Sequence, residues 1–450
     1  MSHILTQSMD SKQVLTIGFD DTDSPRGMCT TFLAYKIVNE LKKENSEFLD
    51  FPRLVRFNPN IPWKTRGNGA VSIQIRTKHP SKIKSKIKNL VSKYSDIKNG
   101  ANPGLVFYEN DSIPSEFTEF SKLALWKLIN RNYAKKFATK NNLEFFYHGN
   151  GQGLVGAIGA IGYKFDDHTL ELLSYRKKSK FGKERKISSK NVKNMQKKTY
   201  PYTYNNFDSS KGRIMITPHG PDPVFYGIRG ENIHSLLHAS KILKPKEKLD
   251  GYMIFKSNQG TGDHLAHELD ADDLRPYYSG TISGTVSNIP KILNGGHVLF
   301  SISSKSCNVP CAVYKPTGIT FVAQNLVVGD KIRIGGGIKK ATSKYPRTLN
   351  VEFIEIINLK KIHTKVNPSC NRCHKNMKSK GKNQGFQCVK CGAKSLKKDI
   401  VETTRKIQQR IYVPKISAHR HLTRPEQRFG TINKNSKFNQ HDSWFHVYRN

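Results

Sequence analysis

The sequence predicts a multidomain protein with α/β and α+β parts, and three observations lead to that prediction. A strand pattern, three aspartates, a glycine turn and a helix pattern succeed one another within residues 14–41. Short β segments with glycine-rich turns occupy residues 277–359. Two Cys-x-x-Cys pairs with the spacing of a zinc ribbon follow. A chain of 450 residues has room for three or four such units, each with its own core.

The first unit is organised around residues 14–31, VLTIGFDDTDSPRGMCTT. Residues 14–19 alternate like a buried strand, and residues 29–41 have the apolar spacing of a helix. Between them stand three carboxylates, with Thr22 among them: Asp20, Asp21 and Asp23. Oxygen ligands suit Mg²⁺, and the free N–H groups of a helix start suit phosphate. Helix capping is the alternative, but three crowded like charges favour a cation and hence a phosphoryl-transfer site.

A loop at residues 58–69 is the second candidate for that site. Its prolines and glycines exclude regular structure, and Lys64 and Arg66 stand beside a tryptophan. Gly67, which precedes Asn68, lets backbone N–H groups approach a phosphate, while the cationic side chains supply charge against a triphosphate or an RNA backbone. An ordinary surface loop is the alternative.

The remaining elements of the first unit follow from periodicity. Strands are predicted at residues 54–57, 70–76 and 104–108, and helices at 81–97 and 114–140. A second unit begins near residue 145, with strands at 213–217, 224–228 and 251–255 and a helix at 231–240. Strands interleaved with helices suggest a ferredoxin-like sandwich.

Two stretches of the second unit need separate interpretation. The glycine-rich run at residues 149–162 looks like a dinucleotide fingerprint but lacks the ribose carboxylate, so we interpret it as a helix packed tightly against another surface. Residues 176–206 are basic and polar and are expected to form an exposed excursion.

Residues 271–360 read as a small closed β-barrel of the OB-fold type. The predicted strands are 280–286, 297–302, 312–314, 320–321, 331–334 and 349–357. Cys307 and Cys311 have no partners at metal spacing and are expected to be buried hydrophobic residues.

Residues 361–396 contain the strongest local motif of the chain. Four thiolates complete a closed tetrahedral Zn²⁺ site, which predicts a structural zinc ribbon and leaves no position for catalysis: Cys370, Cys373, Cys388 and Cys391. Residues 397–450 are expected to be an extended basic tail that contacts RNA; a disordered solubilising end is the alternative.

Charge predicts the class of partner. The chain has 75 Lys and Arg against 35 Asp and Glu, a net charge of +40, which favours binding to nucleic acid through phosphate neutralisation. No apolar run approaches the length of a membrane span and no signal peptide is visible. Cysteines spaced for metal rather than for disulfides favour the reducing cytoplasm.

Taken in order, these motifs resemble one family, the archaeal 2-agmatinylcytidine synthetases of the AUA-decoding isoleucine tRNA (TiaS). The resemblance spans roughly residues 14–395 and rests on these segments: GFDDTDSPRGMCTT, NPNIPWKTRGNGAV, NPGLV, GNGQGLVGAIGAIG, GPDPVFYGIRG and SNQGTGDHL, then the barrel and the ribbon. It implies a flexible lead at 1–13, a kinase-like domain at 14–144 that binds ATP and phosphorylates cytidine, and a ferredoxin-like domain at 145–270. The OB-fold, the ribbon and the tail follow.

The resemblance also implies the reaction and its substrates. Agmatine replaces the 2-oxo group of the wobble cytidine of the minor isoleucine tRNA, and ATP is consumed to AMP. It implies that the three aspartates hold Mg²⁺ and that the enzyme phosphorylates its own Thr31. ATP phosphates are expected at Thr22, Lys64, Arg66, Gly67 and Asn68.

Agmatine carries an amine and a guanidinium, so its pocket should offer carboxylate and aromatic groups, and Asp222 and Tyr226 are the candidates. A structural turn explains Asp222 as well. Two other classes of protein share part of the pattern: a non-catalytic tRNA-binding protein and a Mg²⁺-dependent nuclease. The oligomeric state does not follow from the sequence.

Overall fold

The computed structural model describes residues 12–434 and 437–448. The predicted flexible lead therefore lies outside the described residues except for its last two positions. Helices occupy α1 (Thr30–Lys43), α2 (Pro80–Tyr94), α3 (Ser115–Trp126), α4 (Arg131–Lys140), α5 (Gly153–Gly162), α6 (Ser189–Thr199), α7 (Ile233–Leu243) and α8 (Thr320–Gln324).

Strands of the first two units form most of one large sheet. They are β1 (Gln13–Asp20), β2 (Glu47–Phe48), β3 (Arg53–Arg56), β4 (Gly69–Thr77), β5 (Gly104–Tyr108), β6 (Glu144–Tyr147), β7 (Thr169–Arg176), β8 (Thr203–Tyr204), β9 (Phe207–Asp208), β10 (Arg213–Ile214), β11 (Val224–Gly230) and β12 (Leu249–Ser257). The order is β6-β5-β1-β4-β3-β12-β7-β11-β8, with β2 paired to β4, while β9 and β10 form a separate pair.

The two units meet in this sheet through a parallel contact between β3 and β12. Lys256 lies opposite Arg53 and Ser257 opposite Leu54. Beyond Ser257 the side-chain amide of Asn258 continues the ladder: its Oδ1 accepts from the backbone N–H of Arg56 at 2.8 Å, and its Nδ2 donates to the Arg56 carbonyl at 3.0 Å. These hydrogen bonds extend the contact between β3 and β12 to Arg56, the last residue of β3.

Helices cover the first half of the sheet on both sides. Along β5, Leu105 and Phe107 join the core that contains α1 and α2, whereas Val106 joins the core that contains α3, α4 and α5. The predicted helix at 114–140 is interrupted: α3 ends at Trp126, and Asn130 caps α4 by accepting from the backbone N–H of Asn132. The sequence pattern missed this cap because both helices carry the same apolar period.

The glycine-rich run is confirmed as a tightly packed helix. Helix α5 lies across β1, and a side chain at Gly156 would collide with the Asp20 carboxylate. A side chain at Gly159 would meet the Phe57 ring, and one at Gly162 the backbone of Phe117. The glycines permit close approach of a helix to the strand that carries the aspartates.

The segment predicted as an exposed excursion contains regular structure. Strand β7, which the sequence did not predict, ends at Arg176, and α6 follows with Val192 and Met195 fully buried against the core. The many lysines of α6 lie on its outer face, which hid the short apolar stripe.

The barrel is closed, as predicted, by pairing between its first and third strands. Its strands are β13 (Ser279–Val286), β14 (Lys291–Ile292), β15 (Val298–Ser304), β16 (Cys307–Val313), β17 (Lys331–Lys339) and β18 (Thr348–Asn358), in the order β13-β17-β18-β16-β15-β14. The strand predicted at 320–321 is wrong: these residues open the short helix α8, whose Val322 and Ala323 face the barrel core. Cys311 is buried as expected, whereas Cys307 is half-buried.

The ribbon projects from a two-stranded stem. Strands β19 (His363–Val366) and β23 (Asp399–Glu402) pair as the stem, and β20 (Lys378–Ser379), β21 (Phe386–Gln387) and β22 (Lys394–Ser395) form a small sheet beyond it. The sulfur atoms of Cys370, Cys373, Cys388 and Cys391 all lie within 4.8 Å of one another. Four converging thiols fit a closed tetrahedral zinc site.

The chain after the ribbon is not an extended tail. Strand β24 (Ile411–Tyr412) pairs with β18 of the barrel, and β25 (Phe445–Val447) pairs with β12 of the large sheet. We call residues 411–448 the C-terminal segment. Trp444 is fully buried among aromatic rings. The basic composition of the segment concealed this packing, because its arginines are partnered inside the fold.

Arg428 shows how that partnering works. The side chain is 1% exposed, and its guanidinium lies 2.9 Å from the Asp167 carboxylate and 2.7 Å from that of Glu231. Arg424 contacts the same Asp167 at 2.5 Å. Buried guanidinium groups with hydrogen-bonded carboxylates anchor the segment to the second unit. No helix in the described ranges is long and apolar enough to span a membrane.

These contacts predict a difference between two deletions. Truncation after Lys360 should lower the free energy of unfolding by at least about 5 kcal/mol, because it removes Trp444 and leaves Asp167 without its arginines. Replacing residues 365–400 by Asn-Gly removes the ribbon, closes the stem at the paired residues Thr364 and Val401, and should change stability of the remainder by less than about 1 kcal/mol. Denaturant unfolding followed by circular dichroism measures both, and equal midpoints would contradict the anchoring.

The cysteine geometry predicts one Zn²⁺ per chain. Cys388→Ser should abolish zinc binding and unfold the ribbon, since metal binding supplies most of its folding free energy, about 10–16 kcal/mol. Cys307→Ser, a half-buried cysteine of the barrel, is the matched control and should keep the metal. Elemental analysis of the purified proteins decides, and wild-type protein without zinc would refute the site.

Candidate active site

A cavity of about 750 Å³ opens where the two halves of the large sheet meet. Its walls come from the end of β1, the loop after β3, the start of α5, strands β7 and β11, and residues 416–421 of the C-terminal segment. Most of the site residues predicted from the sequence line it: Asp20, Asp21, Asp23, Thr31, Lys64, Arg66, Gly67, Asn68 and Asp222. Residues as far apart in the chain as Asp20 and His421 thus line one cavity.

The three aspartates converge because β1 ends against α5. Asp20 is the last residue of β1, and Gly156 leaves room for its carboxylate. Asp21 then adopts a left-handed backbone with φ of 57°, which turns the chain sharply and keeps Asp23 on the cavity side. The Asp23 carboxylate lies 3.1 Å from the Arg66 guanidinium.

Burial raises the pKa values of all three carboxyls, and repulsion from a neighbouring aspartate, which for Asp23 is Asp222, adds to each rise. Burial, followed by the charge of Asp21, raises the pKa of Asp20 well above its ordinary value. Burial and then Asp23 raise the pKa of Asp21 to about 7. Burial raises the pKa of Asp23 although Arg66 opposes the shift. A cation beside these groups would relieve the repulsion, whereas among the described residues only the four ribbon cysteines are already gathered as a possible set of metal ligands.

Two cationic residues of the loop after β3 behave differently. The Arg66 guanidinium donates to the Met28 carbonyl at 2.8 Å as well as contacting Asp23, so it ties the loop to the turn that follows the aspartates. Lys64 makes no hydrogen bond or ion pair with any described residue. Its ammonium is therefore available to an anionic ligand.

The start of α1 brings a hydroxyl to the cavity. Thr31 is 5% exposed and lines the cavity, and its Oγ1 lies 3.1 Å from the Cys29 sulfur. Its carbonyl accepts from the Tyr175 hydroxyl at 2.8 Å, which fixes the first turn. The N-cap of α1 is Cys29, with no side-chain cap bond, so the Thr31 hydroxyl does not cap the helix.

Two predicted residues do not reach the cavity. Thr22 is fully buried and its hydroxyl donates to Thr30, so no part of its side chain lines the site. Tyr226 is 2% exposed in the main core, and its hydroxyl pairs with that of Ser240 at 2.8 Å. Strand alternation explains why Tyr226 does not reach the cavity, because it lies on the face of β11 opposite the cavity-lining Gly227.

Asp222 does reach the cavity and keeps one oxygen available. Its Oδ1 accepts from the backbone N–H of Val224 at 3.1 Å and from Arg185 at 3.3 Å. Its Oδ2 has no hydrogen bond to a described residue. Burial raises the pKa of Asp222, while Arg66 and Arg185 oppose that rise.

A second polar cluster on the cavity wall was not predicted. Glu171 of β7 lies 3.9 Å from Arg56 and 3.4 Å from Arg229, and the Arg229 guanidinium lies 2.9 Å from Nδ1 of His421. The same Nδ1 lies 2.7 Å from Oε1 of Gln259. Burial, then Arg56 and Arg229, lowers the pKa of His421 well below its ordinary value, which favours the neutral imidazole. Arg229 stood in a quoted motif, but nothing in the sequence placed His421 beside it.

The comparisons with known proteins agree with this geometry. Family models match three parts of the chain: the TiaS TCKD domain at residues 16–150, the TiaS FLD domain at 151–264 and the TiaS C-terminal zinc ribbon domain at 367–407. A curated isoleucine-tRNA 2-agmatinylcytidine synthetase TiaS from Cenarchaeum symbiosum is 47% identical over 434 residues, covering 96% of this chain and 97% of that protein.

Two solved structures show the same architecture with ligands. A complex of TiaS with its isoleucine tRNA and ATP is 33% identical, with a TM-score of 0.81, and covers 97% of this chain and 100% of that one. A complex of TiaS with the same tRNA, AMPCPP and agmatine is 31% identical, with a TM-score of 0.79 and the same coverage. The aspartate cavity, the closed barrel, the four-cysteine ribbon and these relatives lead to one assignment, and the chain belongs to the TiaS family of isoleucine-tRNA 2-agmatinylcytidine synthetases.

Proposed function

We propose that this protein joins agmatine to C2 of the wobble cytidine of the AUA-decoding isoleucine tRNA and consumes ATP to AMP. The observation that carries the proposal is that one cavity is lined by the three aspartates, by Thr31 at the start of α1 and by Lys64. Lys64 has no partner among the described residues. Family membership supplies the substrates. A tRNA-binding protein without activity has no use for a buried carboxylate cluster of this kind.

The bond changes define what the residues must do. A phosphoryl group from ATP is placed on the C2 oxygen, the agmatine amine forms a bond to C2, and the phosphorylated oxygen leaves as inorganic phosphate. Asp20, Asp21 and Asp23 would hold Mg²⁺, whose charge neutralises the triphosphate when the ion is bound. Lys64 and the backbone at Gly67 and Asn68 would bind phosphate oxygens.

Arg66 contributes by position as well as by charge. Its bonds to Asp23 and to the Met28 carbonyl keep the phosphate-binding loop against the aspartates. The Thr31 hydroxyl, which does not cap its helix, is the group that accepts a phosphoryl from ATP when the enzyme phosphorylates itself. That second transfer accounts for AMP as the product.

Asp222 is the proposed anchor for agmatine. Five carboxylates of the described residues line the cavity: Asp20, Asp21, Asp23, Glu171 and Asp222. The first three form the metal cluster, and Glu171 lies between two arginines. The available Oδ2 of Asp222 can accept from an amine or a guanidinium. Tyr226 does not take part in this binding, because its ring lies in the main core and its hydroxyl pairs with Ser240.

The direct test is mass spectrometry of nucleosides after incubation with the isoleucine tRNA transcript, ATP, Mg²⁺ and agmatine. The anticodon cytidine should gain the mass of agmatine less one water. Unmodified cytidine in an assay with folded, zinc-loaded protein would refute the proposal. Intact tRNA in the same sample excludes the nuclease alternative.

Thr31 gives the first mutational prediction. Thr31→Val should keep the fold and lower product formation by at least ~100-fold, because the side chain keeps its shape and loses the acceptor oxygen. Thr31→Ser restores a hydroxyl and should recover most of the activity and the phosphorylated peptide. Equal activity of the valine and wild-type proteins would remove Thr31 from the reaction.

Asp21 gives a prediction about stability and pH. Its raised pKa means that, between about pH 4 and pH 7, the folded state binds more protons than the unfolded state, so stability falls as pH rises through this window. Asp21→Asn should therefore raise the free energy of unfolding by about 1–3 kcal/mol at pH 8 in zinc-loaded protein without Mg²⁺, leave it nearly unchanged at pH 4, and abolish product. Asparagine also tolerates the left-handed backbone.

The matched control for that measurement is Asp111→Asn. Asp111 is exposed and lies away from the cavity, so its replacement removes the same charge without relieving burial. Denaturant unfolding at both pH values measures the two variants. A loss of stability in Asp21→Asn at pH 8 would contradict the electrostatic account of the cluster.

A further inference from the structure

A second cavity of about 440 Å³ adjoins the first and is lined by three parts of the chain. The chain after β3 contributes residues 57, 59–62, 64, 66 and 67. The barrel side contributes Tyr277, Ile338 and Lys339, and the C-terminal segment contributes Arg420, His421 and Leu422. Lys64, Arg66, Gly67, Arg420 and His421 line both cavities. The two cavities are therefore neighbouring compartments with a shared wall.

The charges in this second cavity are all of one sign. Four cationic side chains line it, and no aspartate or glutamate of the described chain does: Lys64, Arg66, Lys339 and Arg420. Arg66 is paired with Asp23, and the Nε of Arg420 lies 3.1 Å from Glu352. Lys64 and Lys339 make no ion pair or hydrogen bond with any described residue. Two such ammonium groups thus come from different units of the fold.

Like charges brought together in this way favour an anion. Burial lowers the pKa of Lys64, and the charges of Arg420 and Lys339 lower it further, which shows that the three cations act on one another. Glu352 does not offset all of this charge, because a single carboxylate, 3.1 Å from Arg420, faces three cationic side chains. A bound anion converts the repulsion into three charge-assisted contacts.

The remaining wall suits the rest of a nucleotide. Ile61, Pro62, Tyr277 and Ile338 supply apolar surface, which a bare inorganic phosphate does not use. Tyr277 has a left-handed backbone with φ of 71°, a costly conformation for an aromatic residue. Hydrogen bonds hold it there: its N–H donates to the Ile338 carbonyl at 2.8 Å, and its carbonyl accepts from Asn58 at 2.7 Å.

We infer that this cavity binds a phosphodiester group of the substrate RNA next to the cytidine that occupies the first cavity, with Lys339 and Arg420 as positioning residues. The inference rests on the proposed function, because it takes the target nucleotide to lie in the adjoining compartment. Consecutive nucleotides share a phosphate, so neighbouring compartments with a shared cationic wall can hold the target base and its flanking phosphate at once. A phosphate held there fixes the register of the base.

The test uses Lys339→Gln in the full-length, zinc-loaded protein, with Lys340→Gln as the matched control. Lys340 is the next residue in the chain and is exposed outside the cavity, so its replacement removes the same charge. Lys339→Gln should raise the Kd for the tRNA by about three- to tenfold and lower the slope of log Kd against log salt by about one. The KM for ATP should stay unchanged, and Lys340→Gln should resemble wild type in every measurement. Equal effects of the two variants would overturn the inference.

A second arm identifies the phosphate. Anticodon stem-loops with a single neutral methylphosphonate on either side of the target cytidine are bound to wild type and to Lys339→Gln. At one of the two positions the methylphosphonate should weaken wild type at least as much as the Lys339 substitution does, and should weaken Lys339→Gln by a smaller factor than wild type, because Arg420 still contacts the phosphate. Additive losses at both positions would overturn the assignment to RNA. A second result would also overturn the assignment to RNA: Lys339→Gln binds tRNA as tightly as wild type but is inhibited less by inorganic phosphate. The cavity would then be a site for released phosphate.

The outcome is separable from the proposed function. Wild-type protein that yields no agmatine-modified cytidine refutes the reaction, whatever Lys339 does. Wild-type protein that yields the product, with Lys339→Gln indistinguishable from Lys340→Gln in Kd and salt slope, refutes only the second cavity.

Discussion

The pairing of β3 with β12 is the contact on which the site depends. It joins two antiparallel half-sheets through a short parallel ladder, and Asn258 extends that ladder with its side-chain amide. Each half-sheet would otherwise expose an unpaired edge strand. The loop that carries Lys64 and Arg66 leaves β3 at this junction, so the same hydrogen bonds that close the sheet also place the loop beside β7 and β11.

The cavity so formed holds charges that a folded protein ordinarily avoids. Three carboxyls lie at one end of the cavity, with Asp23 buried and Asp20 and Asp21 half-buried. Asp21 has a left-handed backbone, and Gly156 of helix α5 packs directly against the Asp20 carboxylate. The raised pKa values express the free energy that this arrangement costs in the absence of a cation. The proposed function accounts for the persistence of this cost, because carboxylates already placed at the cavity would be available to hold a metal–triphosphate.

The C-terminal segment links the barrel to this arrangement. The barrel and the ribbon lie in the chain between β12 and β25, and those two strands are paired neighbours in the large sheet. The barrel and the ribbon are therefore flanked in the chain by two strands that pair with each other. Arg420 and His421 reach the cavities from this return path, while Arg424 and Arg428 anchor it. The basic sequence that suggested an RNA-binding tail is largely packed against the fold, and five of its residues line the cavities: Ile416, His419, Arg420, His421 and Leu422.

The sequence by itself determined the local features whose signals are short in range. Alternation and spacing predicted β1, β5, α1 and most strands of the barrel, and the cysteine spacing predicted the ribbon, because each depends on neighbours within a few residues. The aspartates, Lys64 and Arg66 were likewise chosen from local chemistry, whereas Thr31 came only from the family resemblance, and the structure brings all of them into one cavity. Only the tertiary structure decided which strands pair across the junction, that Tyr226 faces the core, and that His421 completes the wall. The strand pairing and the place of His421 depend on contacts between residues 192 or more positions apart, which no local pattern encodes. For Tyr226, alternation divides the side chains of β11 between two faces, and only the packing of the strand decides which face meets the core.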